Sequence, residues 1–441
     1  MLCEWRDTLV EKVIKDNFVK RIVKNSGIVF FGNSMASAMS IVAFALMARS
    51  IGPEYLAVLV LAQTYSLVIN DIFNVQTWES MVKFGSSKKG SSGVSSVVRT
   101  NLMLDVVSAV VAFVFALVLL SPVSTLLGWN DEYLFVIQFY CVTILFNITT
   151  ITIGVPRLYN KFFSIARIQV FVNVVKLVAV VVAVSMGYDV ITYFAIYLFS
   201  DVALNLLLIL YGRRILSDNL GPYWWKENFK VDKEQLRFIW WTNLRTITRI
   251  PVRHLDMIII SSVLSMKMVG VYKVYKEVAG FIGRFADPIN QAIYPEMTKM
   301  LGGDDRGKTA AVAVKTISLL ALASVFLVIV LCILAKSVII SFFGPEYVGD
   351  ILVLYVLIVL FGVKLITSPI NPLFIASGFA RYSFLIVLFT NSVYLITAIY
   401  FGNLWGLMGL VVAFALQWFL NKASKVYFLK KYHGEWGELA L

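Results

Sequence analysis

Apolar runs, each long enough to cross a bilayer, alternate with short polar breaks along almost the whole chain. A spanning helix needs roughly 20 mostly apolar residues. The runs predict helices near 22–47, 55–78, 99–121, 133–154, 165–187, 190–212, 238–264, 269–298, 312–340, 350–372, 382–402 and 405–429. An isolated strand or loop cannot cross hydrocarbon, because its N–H and C=O groups would go unpaired. The runs are also too long and too uniformly apolar for barrel strands. The pattern therefore predicts an all-α integral membrane protein of about twelve transmembrane helices.

The polar breaks predict orientation. Arg6, Lys12, Lys15, Lys20, Arg21 and Lys24 precede span 1, and Lys83, Lys88, Lys89 and Arg99 follow span 2. Arg157, Lys161 and Arg167 follow span 4, and Arg213, Arg214, Lys226, Lys230, Lys233 and Arg237 follow span 6. Lys299, Arg306, Lys308 and Lys315 follow span 8, Arg381 follows span 10, and Lys422, Lys425, Lys430 and Lys431 end the chain. The alternate gaps hold little beyond Arg49, Lys267 and Lys336. Lys and Arg concentrate on the cytoplasmic side of membrane proteins, so both termini are expected there.

The longest break, 213–237, contains GPYWWKENFK and separates six spans from six; its Trp224–Trp225 pair suits an interfacial anchor. The expected divisions are an amphipathic N-terminal segment 1–21 at the cytoplasmic surface, a six-helix lobe 22–212, a cytoplasmic linker 213–237, a second six-helix lobe 238–430 and a cytoplasmic tail 431–441. Two six-span halves share one orientation, as in parallel transporter repeats. A weak internal match between Ile51–Ala57, entering span 2, and Leu264–Gly270, entering span 8, agrees with this.

Composition adds exclusions. Only 15% of the 441 residues are charged and the mean hydropathy is +0.81, against roughly 25% charged in soluble domains. The net charge of +13 does not point to nucleic acid, because the basic residues lie in breaks between spans and not on one solvated face. Cys3, Cys141 and Cys332 form no disulfide framework and no CxxC spacing. The N-terminus lacks the apolar core and small-residue cleavage site of a signal peptide. There is no P-loop, nucleophile elbow or HExxH, and the only histidines are His254 and His433. The chain is therefore expected to be neither an enzyme nor an ATP-driven pump, and to need no cofactor or metal. An ion gradient, a partner protein or the substrate gradient must drive it.

Span 7 carries the most informative polar residues, in QLRFIWWTNLRTITRIPVRHLDMIIISSVLS. Arg245, Arg249 and Arg253 recur at i, i+4 and i+8, which drifts by only about 40° per step and predicts one shared face. A central arginine costs about 2.5–3.5 kcal/mol to insert, so three facing lipid would cost on the order of 8–10 kcal/mol. The stripe should face a hydrated cavity, where guanidinium groups suit phosphate, or else pair with Asp256, Asp71 or Glu277. Pro251 lies within it and predicts a kink.

Other candidates have bland alternatives. Lys276 and Arg284 in span 8 would extend a basic cavity, whereas Lys273 and Glu277, four apart, suit an intrahelical pair. Span 8 also holds Asp287, Pro288 and Pro295. Lys176 and Lys364 lie deep in spans 5 and 10, and Pro369 and Pro372 suggest that span 10 is broken. Asp71, Asp256 and Glu79 are candidate ion-coupling acids or structural partners for arginine. Gln63, Asn70 and Asn74 form a polar stripe that suits either substrate contact or helix–helix hydrogen bonding, and Asn33 and Ser37 read the same way.

The chain resembles the lipid-linked oligosaccharide flippases of bacterial polysaccharide biosynthesis, in the multidrug/oligosaccharidyl-lipid/polysaccharide exporter superfamily. The first half carries Ala48-Arg49-Ser50-Ile51-Gly52-Pro53-Glu54, Gln76-Thr77-Trp78-Glu79 with Lys83-Phe84-Gly85, and Pro156-Arg157-Leu158-Tyr159-Asn160-Lys161-Phe162. The second carries Leu255-Asp256, Val269-Gly270-Val271-Tyr272, Phe343-Gly344-Pro345-Glu346-Tyr347, and Ala376-Ser377-Gly378 with Arg381. Each motif is short; their order over nearly the whole chain is specific. Ala57 departs from the family, which has glycine there, and that touches helix packing at this point.

The resemblance implies two six-helix lobes around a central cavity in the bacterial inner membrane. It implies alternating-access transfer of polyprenyl-pyrophosphate-linked repeat units of O-antigen, lipopolysaccharide or capsule type to the periplasmic leaflet. Its partners would be the anionic lipid-linked glycan, membrane lipid and polysaccharide polymerases. The rival within the superfamily is a cation-coupled multidrug exporter, disfavoured by a basic cavity. A membrane-embedded glycan polymerase or ligase is disfavoured by short, nearly uncharged outward loops.

Overall fold

A computed structural model describes the backbone of residues 17–88, 90–226, 232–284, 286, 297 and 306–432. Most of the N-terminal segment, Asp287, Pro288, Pro295 and His433 lie outside the described residues, as does the side chain of Asn33. Among the described residues every regular element is a helix. In chain order they are α1 (Asn17–Phe73), α2 (Trp78–Ser87), α3 (Ser91–Leu127), α4 (Asp131–Tyr140), α5 (Val155–Leu158), α6 (Phe162–Met186) and α7 (Val190–Leu220). They continue as α8 (Lys233–Ile247), α9 (Asp256–Val263), α10 (Met266–Gly283), α11 (Arg306–Val338), α12 (Ile351–Ile366), α13 (Ile370–Ala376) and α14 (Ala380–Tyr432).

Helices α1 and α14 contain 57 and 53 residues. At about 1.5 Å per residue each would be on the order of 80 Å long, more than twice a hydrocarbon core of about 30 Å. Each is broken at a glycine in a conformation that L side chains rarely adopt: Gly52 (φ 75°), followed by Pro53, and Gly406 (φ 60°). A Cβ on Gly409 would lie 1.9 Å from the Phe401 carbonyl oxygen, so the two limbs of α14 fold back at once into a hairpin. α1 therefore supplies spans 1 and 2, and α14 supplies spans 11 and 12. The remaining spans are α3, α4–α5, α6, α7, α8–α9, α10, α11 and α12–α13, which gives the predicted twelve.

The exposed side chains identify the lipid-facing surfaces. On α11, Leu319, Leu322, Phe326, Ile329 and Ile333 are exposed at alternating spacings of three and four, which places them on one face. On α6, Phe171, Val174, Val178 and Val181 do the same. Faces of this kind belong against acyl chains, because a water-soluble protein would bury or interrupt them.

Among the described residues, three spans are interrupted within their length. Span 4 changes from α4 through a 3-10 turn (Cys141–Phe146) and a π turn (Thr150–Gly154) into α5. The deciding group is Asp105 on α3, which is fully buried. Its carboxylate accepts from the Thr150 N–H at 2.6 Å and from the Thr77 hydroxyl at 2.5 Å, while the Thr77 N–H donates to Thr149 Oγ1 at 3.2 Å. Thr77 lies in the gap between α1 and α2, so one carboxylate satisfies donors released at two breaks. Span 7 is broken at Thr248–Arg249 and by a π turn at Pro251–Leu255. Proline removes a backbone donor, and Asn391 Nδ2 donates to the Thr248 carbonyl at 2.6 Å. Span 10 is interrupted by a turn at Thr367–Pro369.

The chain divides into two compact units, 1–47 with 75–110 and 145–240, and 48–74 with 111–144 and 241–441. The first has a core of Met81, Phe84, Val98, Ile151, Val155, Leu216 and Trp224. In the second, α12 packs against α10 and α11. Two pieces from the first half of the sequence belong to this second unit. There the Pro53 backbone meets Gly270, Arg49 Nη1 donates to the Ser341 carbonyl at 2.5 Å, and Trp129 Nε1 donates to Ser261 Oγ at 3.0 Å. Ala57 is completely buried, and the close approach occurs at Gly270 instead.

Candidate functional site

The second unit contains the arginine stripe. Arg245 lies in the last turn of α8, Arg249 at the break and Arg253 in the π turn. All three are exposed, whereas Ile250, Asp256 and Met257 on the same span are buried. The stripe is not a straight α-helical face, because the break and π turn intervene. The Arg253 N–H still donates to the Arg249 carbonyl at 3.2 Å, which keeps these two guanidinium groups one turn apart.

The acids nearby are engaged. Buried Asp256 forms an ion pair with Lys276 and also accepts from the Met257 N–H at 2.9 Å. Asp71 Oδ2 lies 3.6 Å from His254 Nε2. Glu277 receives Lys273 at 2.8 Å and Arg284 at 3.2 Å. Lys276 and Arg284 thus take part in ion pairs. Asn74 Nδ2 donates to Asn70 Oδ1 at 2.9 Å, with both side chains buried, and Gln63 donates to Tyr140 Oη at 3.0 Å. These span 2 amides take part in packing bonds. In the first unit, buried Lys176 lies 5.0 Å from the centre of the Tyr197 ring.

The sequence reading missed the polar face of the last span. Gln417, Asn421 and Lys425 recur every four residues on α14, and all are buried. Gln417 donates to Asn391 at 2.9 Å, Asn421 to Thr390 at 3.2 Å and Lys425 to Asn371 at 2.8 Å. Lys422 is also buried and donates to the Thr367 carbonyl. The spacing was available in the sequence, but Lys422 and Lys425 were grouped with the basic chain end.

Several separated motifs meet within their own unit. The Arg157 guanidinium lies 4.3 Å from the Trp78 ring, and Pro53 touches Gly270. Tyr347 Oη donates to the Ala48 carbonyl at 2.9 Å, and Tyr275 Oη donates to the Tyr347 carbonyl at 2.7 Å. Residues 91–351, more than half of the chain, match the family described as polysaccharide biosynthesis protein. The chain belongs to that family. A relative in Escherichia coli K12, inner membrane protein YghQ, is 22% identical over 292 residues, covering 65% of this chain and 82% of that protein.

Two solved structures share the fold. One is the inward-facing conformation of a multidrug resistance MATE family transporter of the MOP superfamily, with a TM-score of 0.75 at 16% identity, covering 92% of this chain and 96% of that one. The other is the lipid II flippase MurJ in an inward closed conformation, with a TM-score of 0.63 at 14% identity, covering 91% and 87%. The protein is thus a multi-pass membrane member of the polysaccharide biosynthesis family with a transporter-type helical fold.

Proposed function

We propose that this protein is a flippase carrying polyprenyl-pyrophosphate-linked oligosaccharide repeat units from the cytoplasmic to the periplasmic leaflet of the inner membrane. The observation that carries the reading is the exposed Arg245–Arg249–Arg253 series on a broken span of a polysaccharide biosynthesis family member. Three guanidinium groups on a membrane-spanning segment need an anionic or hydrated surrounding, and a pyrophosphate supplies an anion suited to their planar forks. Arg249 and Arg253 are assigned the leading role in binding the anion, with Arg245, Lys276 and Arg284 contributing to the same electrostatic field. Asn70 and Asn74 are placed as sugar-facing groups when the helices move apart. Asp71 with His254, and Asp256 with Lys276, are the candidate ion-coupling pairs. The headgroup crosses by alternating access while the lipid tail stays in the bilayer.

The one-sided distribution of Lys and Arg supports cytoplasmic termini. The test is complementation of a deletion strain, with analysis of its surface glycan. Arg249→Ala with Arg253→Ala is expected to abolish export while leaving the protein inserted, whereas normal glycan in that strain rejects the assignment. The fold shared with the MATE transporter favours a second reading, a cation-coupled drug exporter. That reading requires a deletion strain that becomes drug-sensitive with unchanged glycan.

A further inference from the structure

Among the described residues, Lys422 and Lys425 are the most deeply buried pair of like charges in the second unit that the flippase reading leaves unused. The two residues are 8% and 3% exposed. Lys422 Nζ donates to the Thr367 carbonyl at 3.2 Å and Lys425 Nζ donates to Asn371 Oδ1 at 2.8 Å. Both acceptors belong to the interruption of span 10 and its exit, and both are neutral. The charges acting on Lys422 are those of Lys425 and Lys364, and the charge acting on Lys425 is that of Arg249. Every one is positive. Spans 7, 10 and 12 therefore bring four cationic side chains towards one place.

Buried like charges cost stability unless a proton is lost or an opposite charge compensates them, and a bound anion favours the charged form. An ammonium offers three N–H donors, and each named bond uses one. The aromatic rings beside the cluster add attraction without neutralising it: Lys364 Nζ lies 5.0 Å from the centre of the Phe361 ring and Lys425 Nζ lies 5.9 Å from that of Phe374. An oxyanion carrying two or more charges and several acceptor oxygens would satisfy the remaining donors and the field together. Phosphate and pyrophosphate have that chemistry.

We infer that Lys422 and Lys425, at the interruption of span 10, form a binding site for a phosphate-type anion, with Arg249 and Lys364 adding to its field. The assignment of the pyrophosphate of the lipid-linked glycan as occupant rests on the flippase reading; the anion site itself does not. It extends the site from the exposed arginine stripe into the interior of the second unit. Arg249 connects the two.

The test uses the full chain in nanodiscs and three probes: polyprenyl pyrophosphate, phosphatidylglycerol and inorganic pyrophosphate. Lys422→Gln with Lys425→Gln is expected to weaken polyprenyl pyrophosphate binding at least ten-fold, and Lys422→Arg with Lys425→Arg to retain it within about three-fold. Asn371→Asp guards against misfolding, because it supplies a fixed carboxylate beside Lys425. It is expected to raise thermal stability and to remove the stabilisation that inorganic pyrophosphate gives the wild type. Unchanged binding of all three probes by the Gln pair, or the absence of any anion-dependent thermal shift in the wild type, overturns the site. Loss of phosphatidylglycerol binding alone keeps the anion site and rejects the glycan carrier as its occupant. Loss of polyprenyl pyrophosphate binding in a protein whose deletion leaves surface glycan normal keeps the site and rejects the flippase reading.

Discussion

Gly270 meets the Pro53 backbone so closely that a Cβ on it would lie 2.0 Å from the Pro53 carbonyl oxygen. No flexible side chain can yield there, since the opposing atoms are backbone. Overpacking of this kind costs about 1–3 kcal/mol. Gly270→Ala is expected to lower the thermal unfolding midpoint of the purified protein and to reduce glycan export. An unchanged midpoint would mean that this contact is absent in the resting protein.

Tyr347 fastens the same region through its hydrogen bond to the Ala48 carbonyl. Removing a buried hydrogen bond of this type costs about 1 kcal/mol, so Tyr347→Phe should produce a modest loss of stability. Burial first, and Glu346 second, push the Tyr347 phenol's pKa upward from its ordinary value. A raised phenol pKa contributes stability below the unfolded value of about 10 that is lost as pH rises beyond it. The loss of stability above that pH should therefore be shallower in Tyr347→Phe than in the wild type, which unfolding measured across alkaline pH will show.

Asp256 and Lys276 are expected to behave as a coupled pair. Lys276→Met leaves a buried carboxylate without its cation, a change that costs up to about 3–5 kcal/mol in fully buried pairs. Lys276 remains partly exposed, so the lower end applies. Asp256→Asn added to Lys276→Met should recover most of the loss. A double-mutant cycle on thermal stability measures the coupling, and additive effects would reject it.

Asp105 gives a graded prediction. Asp105→Asn retains one acceptor oxygen for Thr77 or Thr150, whereas Asp105→Leu takes the carboxylate from the buried Thr150 N–H and leaves the Thr77 hydroxyl only Thr150 Oγ1. The orphaned Thr150 N–H costs about 1–3 kcal/mol. Asp105→Leu should therefore accumulate in the membrane far less than Asp105→Asn, as quantitative immunoblotting of membranes would reveal.

The sequence made the spans legible because the bilayer sets a length and composition that each run must meet. The break at Gly52-Pro53 and the turn near Pro369 were also legible, since glycine and proline act on their own backbone. The break in span 4 was not: no proline occurs between Cys141 and Val155, and the conformation depends on a carboxylate from α3. The arginine stripe was legible as a spacing, but the π turn at Pro251 changes the face that the spacing implied. The amide and lysine face of α14 was obscured by its position near a basic chain end, where charge reads as orientation.

The turn at Gly406 has a consequence for biogenesis. With Gly409 set against Phe401, no free loop remains between the last two spans. The side chains of Gln417 and Asn421 find their partners, Asn391 and Thr390, on the preceding limb. Released separately into lipid, each limb would carry unmatched amides or hydroxyls through hydrocarbon, so the final pair should leave the insertion machinery as one zipped unit.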